Sequence, residues 1–255
     1  MNKELNVTDA AALEEMALEE AVREEAAQPL EEAALEEMAQ PQEIMESSAA
    51  IFELLSQLYA SEPSYEFIEA LRETRFPAHT GNERMDEGIW KIASYLSKTG
   101  DSATEELAAD YCRTFMGAGS DSYSAAYPLE SVHTGHKRLI MQGARDEVMA
   151  VYKAYGMEKS DRLRDGEDHI AYELDFMSVL ASRTAELIEE GKADEAEKLV
   201  HAQLNFMDDH LLNWVPKLTK QMRSYSKTDF YHGVSLLTIG YLRENREVLQ
   251  EMVAA

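Results

Sequence analysis

The sequence predicts an all-α fold on the basis of three observations. Apolar residues recur at the i, i+3, i+4, i+7 spacing of one buried helix face, as in Ile51, Leu54, Leu55 and Leu58. No alternating apolar–polar run is flanked by hairpin turns, and β-branched residues are scattered. With 255 residues, 45% of them hydrophobic, the chain can bury a substantial core.

The first 46 residues differ from the rest in composition. They hold fourteen acidic side chains against two basic ones, and so carry nearly half of the formal net charge of −25. The heptapeptide AALEEMA occurs at 11–17 and at 33–39, which is fewer copies than a solenoid needs. Sparse apolar positions and two prolines predict a flexible acidic extension, followed by one globular helical domain over 47–255.

The sequence of this domain predicts successive helices separated by short breaks. The first helix should end near Ser61, since Pro63 restricts the residue before it. Ser102 is positioned to begin a later helix with Glu105 completing a capping box. Residues 118–130 are rich in small, polar and tyrosine residues and predict a long loop. The other helices are expected at about 64–73, 85–98, 102–116, 131–155, 167–191, 194–225 and 229–252.

Composition excludes several classes of function. The acidity disfavours a nucleic-acid partner, because phosphates would be repelled and no basic stripe offsets this. Cys112 is the single cysteine, so no internal disulfide can form. No apolar run approaches the ~20 residues that span a bilayer, and no secretory or twin-arginine signal is recognisable. P-loop and serine-hydrolase motifs do not occur. We therefore expect a cytoplasmic, non-enzymatic protein without cofactor or metal, and without membrane insertion.

Five short segments carry the most specific information in the chain. They are Tyr111-Cys-Arg-Thr-Phe-Met-Gly117, Tyr127-Pro-Leu-Glu-Ser-Val132, Asp168-His-Ile-Ala-Tyr-Glu-Leu-Asp-Phe-Met177, His210-Leu211 with Trp214, and Phe230-Tyr231. In this order and spacing they resemble the TorD/DmsD/NarJ family of cytoplasmic molybdoenzyme chaperones. The resemblance covers roughly residues 48–250 and leaves out the acidic extension.

The resemblance implies a TorD-like helical domain that binds another protein and catalyses nothing. The expected partner is the N-terminal signal peptide, usually a twin-arginine one, of a molybdopterin-containing oxidoreductase precursor. Binding would delay export until the cofactor has been inserted. The family's hinge motif is usually Glu–Pro–x–Asp–His, and here it stands as Asp165-Gly-Glu-Asp-His169. Glycine in place of proline loosens the backbone at this hinge.

Candidate peptide-binding residues follow from the resemblance and from the chemistry of such a leader. Guanidinium groups favour carboxylates, and the apolar part of the leader favours a groove between helices. The candidates are Asp168, His169, Glu130, Ser131, Tyr127, Tyr123, Phe115, Glu173 and Phe176. Structural roles compete with these assignments: Asp168 could cap a helix starting at about His169, and Glu130-Ser131 could start another. His210 and Trp214 favour core packing.

Two alternative functions and two assembly states stay open. A nitrate-reductase-type assembly chaperone would serve a subunit whose leader need not carry two arginines. A helical metal enzyme or sensor is suggested by Glu130-x-x-His133 and Asp229-x-x-His232, because helical bundles host carboxylate-bridged metals. The protein is expected to be a monomer, or a dimer that exchanges domains through the connection at 156–168.

Overall fold

The computed structural model describes residues 41–117, 125–135, 143–157 and 166–254. Within these ranges the chain forms ten α-helices, two of which continue into a π-helical turn. They are α1 (Pro41–Ala60), α2 (Tyr65–Glu73), α3 (Glu83–Lys98), α4 (Ala103–Tyr111), α5 (Glu130–Thr134), α6 (Gly143–Ala154), α7 (Ile170–Glu189), α8 (Ala193–Phe206), α9 (Val215–Tyr225) and α10 (Asp229–Ala254). The π-helical turns are Cys112–Met116 after α4 and Met207–Leu211 after α8. No strand occurs in these ranges, so the all-α prediction is confirmed.

Two helix pairs form the centre of the molecule, α1 with α7 and α3 with α10. Ser56 donates to the carbonyl of Ala171 and Ser178 donates to the carbonyl of Ala49, each over 2.8 Å, which ties α1 to α7. The second pair approaches closely because it meets at glycines. A Cβ on Gly233 would lie 2.6 Å from the backbone oxygen of Gly88. The core therefore includes one contact that requires the absence of side chains.

Several element boundaries differ from the predictions. Helix α1 begins at Pro41, so residues 41–46 are helical and do not belong to the extension. The predicted capping box is wrong, because the Ser102 hydroxyl donates to Glu106 and makes no cap bond to the backbone. The block at 131–155 contains two helices with residues 136–142 outside the described part of the chain. The block at 194–225 is divided by the second π-helical turn, after which Pro216 occupies the first turn of α9.

No helix in the described ranges is both long and apolar enough to cross a membrane.

Candidate functional site

Two of the motif segments are joined by backbone hydrogen bonds. The amide of Ile170 donates to the carbonyl of Pro128, and the amide of Glu130 donates to the carbonyl of Asp168, both over 2.9 Å. This antiparallel contact, centred on Leu129 and His169, holds the start of α5 against the start of α7. The two segments that carry most of the predicted site are therefore one structural unit.

The carboxylate of Asp168 caps the start of α5 and not, as predicted, the start of α7. Its Oδ2 accepts a hydrogen bond from the amide of Ser131 over 2.9 Å, so the carboxylate satisfies a free N–H at the start of α5. The cap of α7 is instead His169, whose Nδ1 accepts from the amide of Ala171 over 3.1 Å. That bond requires an Nδ1 without a proton. The prediction that Asp168 caps the helix beginning near His169 is thus corrected.

Glu130 and Glu173 lie behind this junction in a buried polar cluster. Glu130 binds Nδ1 of His210 over 3.1 Å and accepts from the side-chain amide of Asn213 over 3.0 Å. Glu173 accepts from the indole N–H of Trp214 over 3.2 Å. Burial raises the pKa of Glu173 well above its usual range, and the nearby carboxylates of Glu130 and Asp168 raise it further. The cluster therefore favours a protonated Glu173.

Five of the predicted site residues are closed off from solvent. Glu130, Ser131, Asp168, Glu173 and Phe176 are each at most 2% exposed. Phe176 belongs to an aromatic core group, with its ring centroid 4.9 Å from that of Tyr152 and 4.7 Å from that of Phe206. None of these five lines the groove on the outer side of the junction, so in this conformation they can position other groups but do not contact a ligand there. His169 is also only 2% exposed, although it does line that groove. Tyr123 lies outside the described residues.

An open groove of about 660 Å³ lies on the outer side of the same junction. It is lined by Ala60, Ser61, Glu62, Tyr111, Phe115, Met116, Tyr127, Pro128, Leu129 and His169. Three of the predicted residues, Phe115, Tyr127 and His169, are therefore brought together here. Most of the lining is apolar or aromatic, which suits an apolar ligand segment.

The first π-helical turn shapes one wall of the groove. Phe115 is buried against the rings of Tyr111 and Tyr231, with centroid distances of 4.9 and 5.6 Å. The next residue, Met116, is 62% exposed and forms the rim. Gly117 ends the turn with φ at 66°, and a Cβ there would lie 2.7 Å from the hydroxyl of Tyr127. Glycine at this position thus lets Tyr127 pack against the turn.

Glu62 and Cys112 were not among the predicted site residues. Glu62 lies in the connection after α1 and is the one carboxylate among the described residues that line the groove. The thiol of Cys112 donates to its Oε1 over 2.8 Å. This bond, with smaller effects of burial and of the Glu62 charge, raises the pKa of the thiol. Cys112 lies within the Tyr111–Gly117 segment, but Glu62 belongs to no periodic or motif pattern, so the sequence contained no signal for the pair.

The residues suggested for a metal site have other partners. Glu130 engages His210 and Asn213, whereas Nε2 of His133 lies 2.8 Å from the carbonyl oxygen of Tyr127. Asp229 pairs with Lys91 over 3.2 Å. No group of three or more histidine, cysteine or acidic side chains in the described ranges is arranged to hold a metal ion.

Comparison with protein-family models identifies the family to which this chain belongs. Residues 82–220 match the family model described as nitrate reductase delta subunit, which is more than half of the chain. The chain therefore belongs to the TorD/DmsD/NarJ family, and the resemblance inferred from the motif order is confirmed.

Individual relatives carry a more specific name. The chain is 28% identical to "Chaperone protein TorD" of Vibrio parahaemolyticus over 204 residues, which cover 78% of this chain and 92% of the relative. It is 34% identical to the protein of the same name from Photobacterium profundum over 144 residues, covering 56% of this chain and 64% of the relative. A Vibrio cholerae protein of that name is 26% identical over 214 residues, covering 82% and 94%.

Proposed function

We propose that this protein is a cytoplasmic maturation chaperone and not an enzyme. It binds the N-terminal signal peptide of a molybdopterin-containing oxidoreductase precursor and delays export until the cofactor is inserted. The groove beside the α5–α7 junction carries this proposal. Its volume of about 660 Å³ lies within the roughly 300–1,000 Å³ typical of ligand sites. Relatives named as chaperones support the same class of function.

The residues have two kinds of role in this proposal. Phe115, Tyr127 and His169 contact the apolar part of the leader, because they line the groove. Asp168 and Ser131 act from behind the groove, since the bond between them fixes the junction that forms its floor. Glu130, Glu173 and Phe176 support this arrangement through the buried cluster and the aromatic core. The tyrosine and phenylalanine rings also offer π faces to an arginine of the leader.

Met116 provides a test that leaves the core intact. Because its side chain is 62% exposed at the rim of the groove, Met116→Gln should fold normally and remove apolar contact with the leader. Loss of that contact should weaken leader binding roughly three- to tenfold, measured by calorimetry with a synthetic twin-arginine leader.

Trp90 supplies the matched control. It is 63% exposed on α3 and does not line the groove, so Trp90→Gln should leave the affinity unchanged. Equal losses in the two variants would argue for nonspecific apolar binding, and no loss in Met116→Gln would place the leader elsewhere.

The description of the matching family favours a second candidate, an assembly chaperone of the nitrate-reductase type. Its client would be a subunit that stays inside the cell, with a leader that lacks the twin arginine. Co-purification of the client from cells, with sequencing of its N-terminus, separates the two proposals. A client leader without paired arginines supports the second.

A further inference from the structure

Among the described residues near the groove, one carboxylate is available to a ligand. Asp168, Glu130 and Glu173 are at most 2% exposed. Glu167, the remaining acidic residue of the hinge segment among those described, forms an ion pair with Arg145. Glu62 is exposed and lines the groove directly. Glu62 is therefore the carboxylate that a positively charged group in the groove can contact.

The side chain of Glu62 also has capacity for a further partner. In the described part of the chain, no lysine, arginine or histidine nitrogen lies within ion-pair distance of its carboxylate. Its one side-chain hydrogen bond in the same ranges comes from the Cys112 thiol, which is a weak donor. A guanidinium offers charge and two parallel N–H groups, so it can displace the thiol.

The surroundings favour a guanidinium over a compact ammonium group. Tyr111, Phe115 and Tyr127 line the groove together with Glu62, and a planar cation can stack on such rings while its edge binds a carboxylate. The apolar lining also reduces the exposure of the pair to water and salt. Glu62 lies between the end of α1 and the buried Pro63.

We propose that Glu62 is the specificity-determining residue that binds an arginine guanidinium of the leader. This inference rests on the proposed function. The role assigned from sequence to Asp168, Glu130 and Glu173 as guanidinium acceptors passes to this residue. The other groove residues hold the apolar part of the leader, so affinity and arginine selectivity reside in different side chains.

The test is a double-mutant cycle on the full chain, measured by calorimetry at low salt. The two leaders are a synthetic twin-arginine peptide and the same peptide with both arginines replaced by glutamine. We expect Glu62→Gln to weaken binding of the arginine leader roughly fivefold, as for a partly shielded charge-assisted bond, and to change the glutamine leader by less than about twofold. Glu53→Gln is the matched control, since Glu53 is exposed on α1 and does not line the groove.

The other possible results would overturn this proposal alone or both proposals together. If Glu62→Gln weakens both leaders equally, or weakens neither, Glu62 does not recognise arginine and the proposal is overturned. If the unmodified protein binds the two leaders with equal affinity, the chaperone proposal stands and this one fails alone. If it binds neither leader, both proposals fail together.

Discussion

The reactivity of the Cys112 thiol can be used to measure its contact with Glu62 at the groove. It donates to Glu62 over 2.8 Å, and this bond is the largest of the effects that raise its pKa. The chain has a single cysteine, so reaction with a small alkylating reagent follows this one thiol. Because the thiolate is the reactive form, the reaction rate measures how strongly Glu62 holds the proton on sulfur.

We expect Glu62→Gln to accelerate alkylation of Cys112. The substitution removes the carboxylate, so the pKa of the thiol falls toward its ordinary value and the thiolate fraction at pH 8 rises. Pseudo-first-order rates with iodoacetamide should increase at least about twofold, since the rate follows the thiolate fraction. Glu53→Gln should react like the unmodified protein. Equal rates in all three proteins would show that the thiol and the carboxylate do not interact in solution.

Single residues also mark the limit of prediction from sequence. The motifs predicted Asp168 and Ser131 as peptide-binding residues, but they did not predict the bond between them, which joins residues 37 positions apart. Local capping rules assign a polar residue to the helix that follows it, and so they gave Asp168 the wrong helix. Glu62 follows a helix end and belongs to no pattern, so only the folded chain reveals its place in the groove.

At the level of elements, apolar periodicity predicted which segments are helical but not how closely they pack. Helices α3 and α10 were both expected, whereas their contact through Gly88 and Gly233 depends on which faces meet. The π-helical turns were also missed, because one extra residue in a turn changes the apolar spacing too little to be read. The turn Cys112–Met116 nevertheless supplies Phe115 and Met116 to the groove.

Gly233→Ala should destabilise the fold by separating these two helices. Its new methyl group would lie 2.6 Å from the Gly88 oxygen and 2.9 Å from Cγ1 of Ile92. Overpacking of this kind outweighs the better helix propensity of alanine, with a net loss of about 1–2 kcal/mol.

Urea unfolding followed by circular dichroism would measure this loss. Gly100→Ala is the control, because a Cβ there would meet nothing within 4 Å, and its free energy of unfolding should stay within about 0.5 kcal/mol of the unmodified protein. If Gly233→Ala is as stable as this control, the close approach of α3 and α10 is not maintained in solution.

For the whole molecule, the buried polar cluster connects four parts of the fold. Glu130 comes from α5, Glu173 from α7, His210 from the second π-helical turn and Trp214 from the cap of α9. Hydrogen bonds within this cluster, including the one from Asn213 to Glu130, link residues that are up to 83 positions apart in the chain. The order of the motifs predicted the family. Only the structure shows that residues from separate motifs form one cluster.

The protonation of Glu173 makes the stability of the whole fold depend on pH. Its pKa is raised well above the usual range in the folded protein, mainly by burial, whereas in the unfolded chain it stays near about 4.3. Between these two values the folded state holds a proton that the unfolded state has lost. The contribution of Glu173 to stability should therefore be most favourable at or below the unfolded pKa and decline as pH rises, by up to about 1.4 kcal/mol per pH unit.

Glu173→Gln should remove this decline, since a neutral amide can accept from Trp214 and donate to Glu130 without a proton to lose. The variant should match the unmodified protein near pH 4 and exceed it by more than about 1 kcal/mol at pH 7. Urea unfolding at several pH values would measure both curves. Glu189→Gln, an exposed change at the end of the same helix, should follow the unmodified protein throughout. If the Glu173→Gln curve runs parallel to that of the unmodified protein from pH 4 to 7, Glu173 is not held protonated by the fold.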